Sequence, residues 1–303
     1  LDGFLKSGDP CFDDFISPMT NPIFFQDPRI QSEARFIFLN HKFPSAVGGG
    51  EAQLYALQLR AAVSENLSIS ATKDGFMVSD TPLLDDGWAD VSAGLQYNLY
   101  KDVESQSLLS AGLVYDIPVG TPKALQGNGD GEFHLFLTGG TELAENWHLV
   151  SGSGFILPAN RRNQSQFWYW SNHLDHQLGD SGLYLLGEVN WFHWMSGADE
   201  FPVSVEGMDY ANLGSAGVGG NDIVTGALGI KYKPTRNQEI GLAYEVPLTE
   251  LRELIEGRLT FDWILRFCSA TDPRIFDLKS LLTRSHQQRL FSLRIAFRKF
   301  LCD

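Results

Sequence analysis

From Trp88 the chain alternates. Residues 88–99 place Ala89, Val91, Ala93, Leu95, Tyr97 and Leu99 on one side of an extended strand, and Asp90, Ser92, Gly94, Gln96 and Asn98 on the other. Successive side chains of a strand point to opposite faces, so this is one apolar and one polar face, whereas a helix would scatter both sets around its axis. The pattern returns over 67–73, 107–119, 132–143, 182–194, 221–233, 238–247 and 257–267, and less regularly over 33–43, 51–62, 147–158 and 167–178. Twelve strands are predicted from these segments.

The connections carry a second signal. Short links (64–66, 101–106, 144–146, 179–181, 234–237) alternate with longer ones (74–87, 120–131, 159–166, 195–220, 248–256). Outer-membrane β-barrels have short periplasmic turns, long outer loops and an even number of strands. A soluble sandwich or a lipocalin-like barrel also alternates, but it turns its apolar face inward. Here the polar faces are rich in Gly, Ser, Asn and Asp, not in the long charged side chains of a solvated exterior. The predicted topology also places Trp88, Trp168, Trp170, Trp191 and Trp194 near the outer strand ends, where an aromatic belt would meet the membrane interface. The fold class predicted is therefore an all-β, antiparallel transmembrane β-barrel.

Composition is consistent with this class. The 303 residues carry a formal charge of −14, which argues against nucleic acid as a partner. No run of eighteen apolar residues occurs, so no transmembrane helix is expected. The three cysteines, Cys11, Cys268 and Cys302, make no C-x-x-C pair. The chain starts at Leu1 with no apolar signal segment, as a processed protein or a fragment would.

An apolar exterior turns the polar faces inward. Asp90, Asp116, His134, Glu142, Glu188, Asn190, Glu239, Glu245, Arg258, Asp262 and Arg266 are the predicted pore-lining residues, since a basic residue facing lipid at mid-depth costs about 2–4 kcal/mol. In the last hairpin, the constant index sum of antiparallel partners brings Glu239 near Arg266, and Glu245 near Thr260 or Arg258. Such charges either form ion pairs that hold the barrel or wet it enough for solutes to pass.

No H-E-x-x-H, P-loop or G-x-S-x-G motif is present, and no metal or cofactor is expected. His173 and His176 fall on opposite strand faces. The acidic loop with Asp199, Glu200, Glu206 and Asp209 lacks calcium-loop spacing and reads as a solvated outer loop.

Three stretches carry a resemblance: Phe12 to Pro28, Asn66 to Thr72 running into Lys73-Asp74-Gly75-Phe76, and Gly220 to Gly226. Over 10–267 the chain resembles predicted outer-membrane proteins of planctomycete-type bacteria, related to barrels of a phenol-degradation (MetA-pathway) family. Leu259 to Phe267 also looks like the C-terminal insertion signal read by the outer-membrane assembly machinery. The resemblance implies a bacterial outer-membrane location and the uptake or passage of small molecules, apolar or aromatic compounds among them. It implies no catalytic residues.

Three regions follow: an N-terminal segment (1–30) that plugs the barrel or lies in the periplasm, the barrel (31–267), and a basic tail (268–303). The tail has seven Lys/Arg against three Asp/Glu, so the remainder carries −18. It reads equally as an amphipathic helix, a further strand or an extension beyond the family's end. The functions that fit are a channel for small solutes, a structural or adhesive barrel with a filled lumen, and an outer-membrane enzyme; a barrel alone implies no chemistry.

Overall fold

The computed structural model describes residues 9–267, so all three readings of the tail fall outside the described residues. The regular structure of the described residues is strand apart from three short 3-10 turns, with no α-helix. In order the segments are β1 (Glu33–Lys42), β2 (Glu51–Ala62), β3 (Leu67–Ala71), β4 (Phe76–Ser79), β5 (Gly87–Trp88), β6 (Val91–Asp102) and β7 (Ser107–Ile117). There follow β8 (Glu132–Ala144), β9 (Trp147–Pro158), β10 (Gln166–Gln177), β11 (Leu183–Ser196), β12 (Asp222–Thr235), β13 (Gln238–Pro247) and β14 (Gly257–Arg266). Each pairs antiparallel with its neighbours, and β14 pairs with β1 from Glu33↔Arg266 to Lys42↔Gly257. The sheet is therefore closed, leaving no long edge.

Fourteen segments fill twelve barrel positions, because two predicted strands are interrupted. β3 and β4 both pair with β2, from Leu59↔Ala71 and from Tyr55↔Phe76, with Thr72–Gly75 between them. β5 and β6 share the next position, with Ala89 and Asp90 between. The stretch 74–87, read from sequence as a loop, thus holds β4 and the first residue of β5.

Burial follows strand parity. In β8, Glu132, His134, Phe136 and Thr138 are buried while Phe133, Leu135 and Leu137 are exposed. In β13, Ile240, Leu242 and Tyr244 are exposed while Glu239, Ala243 and Glu245 are buried. Large apolar side chains cover the outside and charged ones face in, which excludes the soluble alternatives and fits a barrel wrapped in lipid.

Parity also corrects the aromatic belt. Trp88 and Trp170 are exposed on the outer wall, and Trp168 packs edge-on against Trp191 with ring centroids 5.0 Å apart. Trp194 is an odd number of residues from Trp191, so it points inward. It is 1 % exposed and packs with Phe167 and Phe192 inside the barrel.

Candidate functional site

The interior is filled. Residues 9–32 enter the lumen without regular secondary structure beyond a single turn at Pro10–Phe12, and nearly all are buried. Such a segment cannot satisfy its own backbone, and a buried unpaired carbonyl or N–H is costly. The barrel wall supplies the partners. Gln58 donates to the Pro22 carbonyl at 2.9 Å, Gln96 to Asp27 O at 2.9 Å, and Ser110 to Pro28 O at 2.6 Å. Thr138 donates to Gln26 O at 2.7 Å and Tyr169 to Phe24 O at 2.7 Å. Arg35 donates to Pro18 O at 2.7 Å, and Lys231 to Ser17 O at 2.8 Å. In return, Glu239 accepts the Ser17 N–H at 3.1 Å and Glu188 accepts those of Met19 and Thr20 at 2.7 and 2.6 Å. Phe12, Phe15 and Phe25 pack with Leu108 and Val150, and Phe24 packs with Phe167 and Tyr169.

This corrects the expectation of a pore lined by charges. Asp116, His134, Glu188, Asn190, Glu239, Glu245, Arg258 and Asp262 are buried and face the interior. Glu142 lies on the same face but is half-buried near the turn end, and Asp90 lies in the gap between β5 and β6. The polar faces are spent on the inserted segment and on one another. Glu188 also accepts from His173, at 2.6 Å, and Asn190 donates to Thr20 at 2.9 Å. Asp262 lies 2.8 Å from Arg35 and 2.9 Å from Lys231. Arg266 donates to Glu239 at 2.6 Å, and Arg258 faces Glu245 across the last hairpin at 3.8 Å. His176 points outward and stacks on Trp147, away from His173.

Loops fold into the outer end. The acidic loop folds partly into the barrel, against the sequence expectation: Glu206 and Asp209 are buried. Glu206 accepts from Ser165 Oγ and from the Leu213 and Ser215 N–H groups, at 2.7, 2.7 and 2.8 Å, while its own N–H donates to Glu253. With Asn221 Nδ2, which donates to Glu253 at 3.3 Å, five donors around two carboxylates explain why chain that reads as solvated packs inside. Burial pushes both carboxyls up, Glu253 to about 7. An acid whose folded pKa is raised holds its proton in the folded loop while the opened loop gives it up, so closure weakens as pH rises from about 4.5 to about 7. Amide exchange at Leu213 and Ser215 should therefore accelerate between pH 5 and 8 beyond the intrinsic base dependence, and Glu253→Gln should remove that excess. An unchanged excess in Glu253→Gln would assign it to another group.

The wall strand is interrupted between β3 and β4. Thr72–Gly75 leaves the ladder with β2, and side chains bridge the gap. Leu57 N–H donates to Asp74 Oδ1 at 2.9 Å, and Gln58, already holding Pro22 O, also donates to Thr72 O at 2.5 Å. Lys73 turns inward to Asp116 at 3.0 Å and Asp90 at 3.7 Å. At Gly75, φ is +119° and a Cβ would lie 2.5 Å from the Tyr55 carbonyl oxygen, so the break requires glycine here. On the lipid side lies an open groove of about 680 Å³, walled by Phe36, Phe38, Tyr55, Trp88, Val91 and Phe261. Asp74 and Ala89 line this groove and also a cavity on the inner side. The sequence reading missed Gln58 and the break; the one available signal was Lys73-Asp74-Gly75 interrupting an alternating run.

Fold and site define an outer-membrane-type β-barrel with an occupied lumen and an interrupted wall. Among solved structures, the chain is similar to the COG4313 outer membrane channel from Pseudomonas putida F1, with 13 % identity over 84 % of this chain and 100 % of that one and a TM-score of 0.57. It is also similar to the NanC porin, with 8 % identity over 78 % of this chain and 100 % of that one and a TM-score of 0.50. At these identities the likeness is one of fold. No protein-family model and no curated protein matches the chain.

Proposed function

We propose that this protein is a channel of the bacterial outer membrane that takes up small apolar or aromatic molecules, admitting them from the lipid through the break in its wall. The observation that carries this reading is the pairing of an occupied lumen with the apolar groove at Thr72–Gly75. An axial path for hydrated solutes is filled by residues 9–32, whereas a molecule dissolved in the bilayer meets aromatic walls at an interrupted strand position that faces lipid. The channels it resembles in fold agree with a transport role. The strand ending at Phe267 is the element the assembly machinery would read.

The filled lumen also favours a second reading, a structural barrel whose outer loops bind partners. Flux separates the two. In proteoliposomes the protein should speed transfer of toluene from a donor bilayer into the interior and leave sucrose permeability near background. Ala89→Phe, which fills the junction between groove and interior, should abolish the toluene effect. No acceleration of either solute would establish the structural reading; sucrose permeation unaffected by Ala89→Phe would establish an axial pore.

A further inference from the structure

The cavity inside the break contains two buried polar groups without partners. Leu39, Leu54 and Met77 form its apolar side, with Tyr210 and Arg258 facing them. Arg258 is 1 % exposed; its Nε donates to His41 Nδ1 at 3.2 Å and its Nη1 to Asp209 at 2.8 and 3.0 Å, while Nη2 has no acceptor among the described residues. The Tyr210 hydroxyl, on the inserted loop, is likewise unpartnered, although its ring is held against His41 and Phe43. Buried N–H and O–H groups are ordinarily satisfied, and two that line one cavity point to something that enters it.

Charge selects the ligand's head. His41 donates from Nε2 to Leu254 O at 2.8 Å and accepts from Arg258 at Nδ1, which is the neutral tautomer. The Arg258 charge is already met by Asp209 and, at 3.8 Å, by Glu245, and Lys73 is met by Asp116 and Asp90. A carboxylate entering here would meet carboxylates in excess, and an ammonium would meet Arg258. A neutral oxygen meets neither objection: it accepts from Nη2 and exchanges a hydrogen bond with Tyr210. The cavity now has about 10 Å³ free, enough for one water-sized group, so only the head of a larger molecule fits while its body stays in the groove beyond Asp74 and Ala89.

We propose that Arg258 and Tyr210 form a head-group subsite that favours apolar compounds bearing a hydroxyl or carbonyl oxygen, the body of the compound lying in the lipid-facing groove. This rests on the lateral-entry reading above. The probes are toluene, benzyl alcohol and benzoate, which differ only in the group attached to the ring. Binding is measured by equilibrium dialysis against the protein in lipid nanodiscs, with empty nanodiscs subtracted. Benzyl alcohol should bind more tightly than toluene by roughly fivefold, the worth of about one hydrogen bond, and benzoate should not bind above background. Tyr210→Phe keeps the ring packing and should reduce benzyl alcohol toward the toluene level without moving toluene. Equal binding of alcohol and toluene, a preference that survives Tyr210→Phe, or tight benzoate binding would overturn the subsite and leave the two groups to water. If the preference is absent but toluene flux still responds to Ala89→Phe, the entrance stands and only the subsite falls.

Discussion

Replacing Glu239 by Gln should destabilise the barrel by about 3–5 kcal/mol, the cost of removing one partner from a buried ion cluster. Glu239 is fully buried and stands among four cations: Arg266 at 2.6 Å, Lys231 at 3.4 Å, Arg29 at 3.8 Å and Lys233 at 4.0 Å. Gln is nearly isosteric, so no cavity forms; what is lost is the negative charge that lets these side chains share one space. Asp262, Asp27 and Glu33 remain, but each already serves its own partners, Asp262 with Lys231 and Arg35, Asp27 with Arg29, and Glu33 with Arg266 and Arg60. The same carboxylate accepts the Ser17 N–H, so the variant should also loosen the inserted segment. Chemical denaturation in a lipid-mimetic detergent measures the first effect, and protease cleavage near Ser17 the second. Removing one cation as well, in Glu239→Gln with Lys233→Met, should recover part of the loss. A cost below about 1 kcal/mol would mean that water screens the cluster and that it does little to hold the segment.

Deleting residues 9–31 should turn a nearly non-conducting barrel into an open one. The segment occupies the interior, and its carbonyls absorb donors from strands around the circumference, among them Gln58, Gln96, Ser110, Thr138, Tyr169 and Lys231. Without it these donors would face a hollow, polar interior, and water with ions would take the place of the peptide backbone. In planar bilayers the full chain should show little conductance, and the deletion should show steps larger by an order of magnitude or more, the filled path having become a wet one. The deletion should also unfold at lower denaturant, since Glu188 and Lys231 lose partners and the Phe12, Phe15 and Phe25 cluster is gone. Equal conductance with and without the segment would show that the inward-folded outer loop around Glu206 and Asp209, and not the segment, is the barrier.

The two predictions separate the roles of one set of residues. The lumen charges act on stability through each other and on permeability through the segment they hold. The wall break belongs to neither, although Gln58 touches both the segment and the break with its two amide hydrogens.

Period-2 alternation was enough to determine strand number, inward and outward faces, and the ends that carry long loops, because a strand's side-chain geometry is local and a lipid exterior demands one apolar face. The index sum of an antiparallel pair likewise brings Glu239 toward Arg266 and Glu245 toward Thr260 or Arg258, and the register of the closed barrel pairs Glu245 with Arg258. Where the aromatic belt failed, at Trp194, the information was present: its parity relative to Trp191 already turned it inward. What lay outside the sequence was the content of the lumen. Gln58, Gln96 and Thr138 look the same whether they face water or a backbone carbonyl, and only the path of residues 9–32 decides between them. Glu206 reads as a solvated loop carboxylate until Ser165, Leu213 and Ser215, distant or neighbouring in sequence, converge on it. The break at Thr72–Gly75 is likewise a matter of three dimensions, since it requires the Tyr55 carbonyl to crowd Gly75 and Asp116 to draw Lys73 inward. Local pattern determines which way a side chain points; what it meets there depends on contacts between residues far apart in the chain, and those exist only once the barrel has closed.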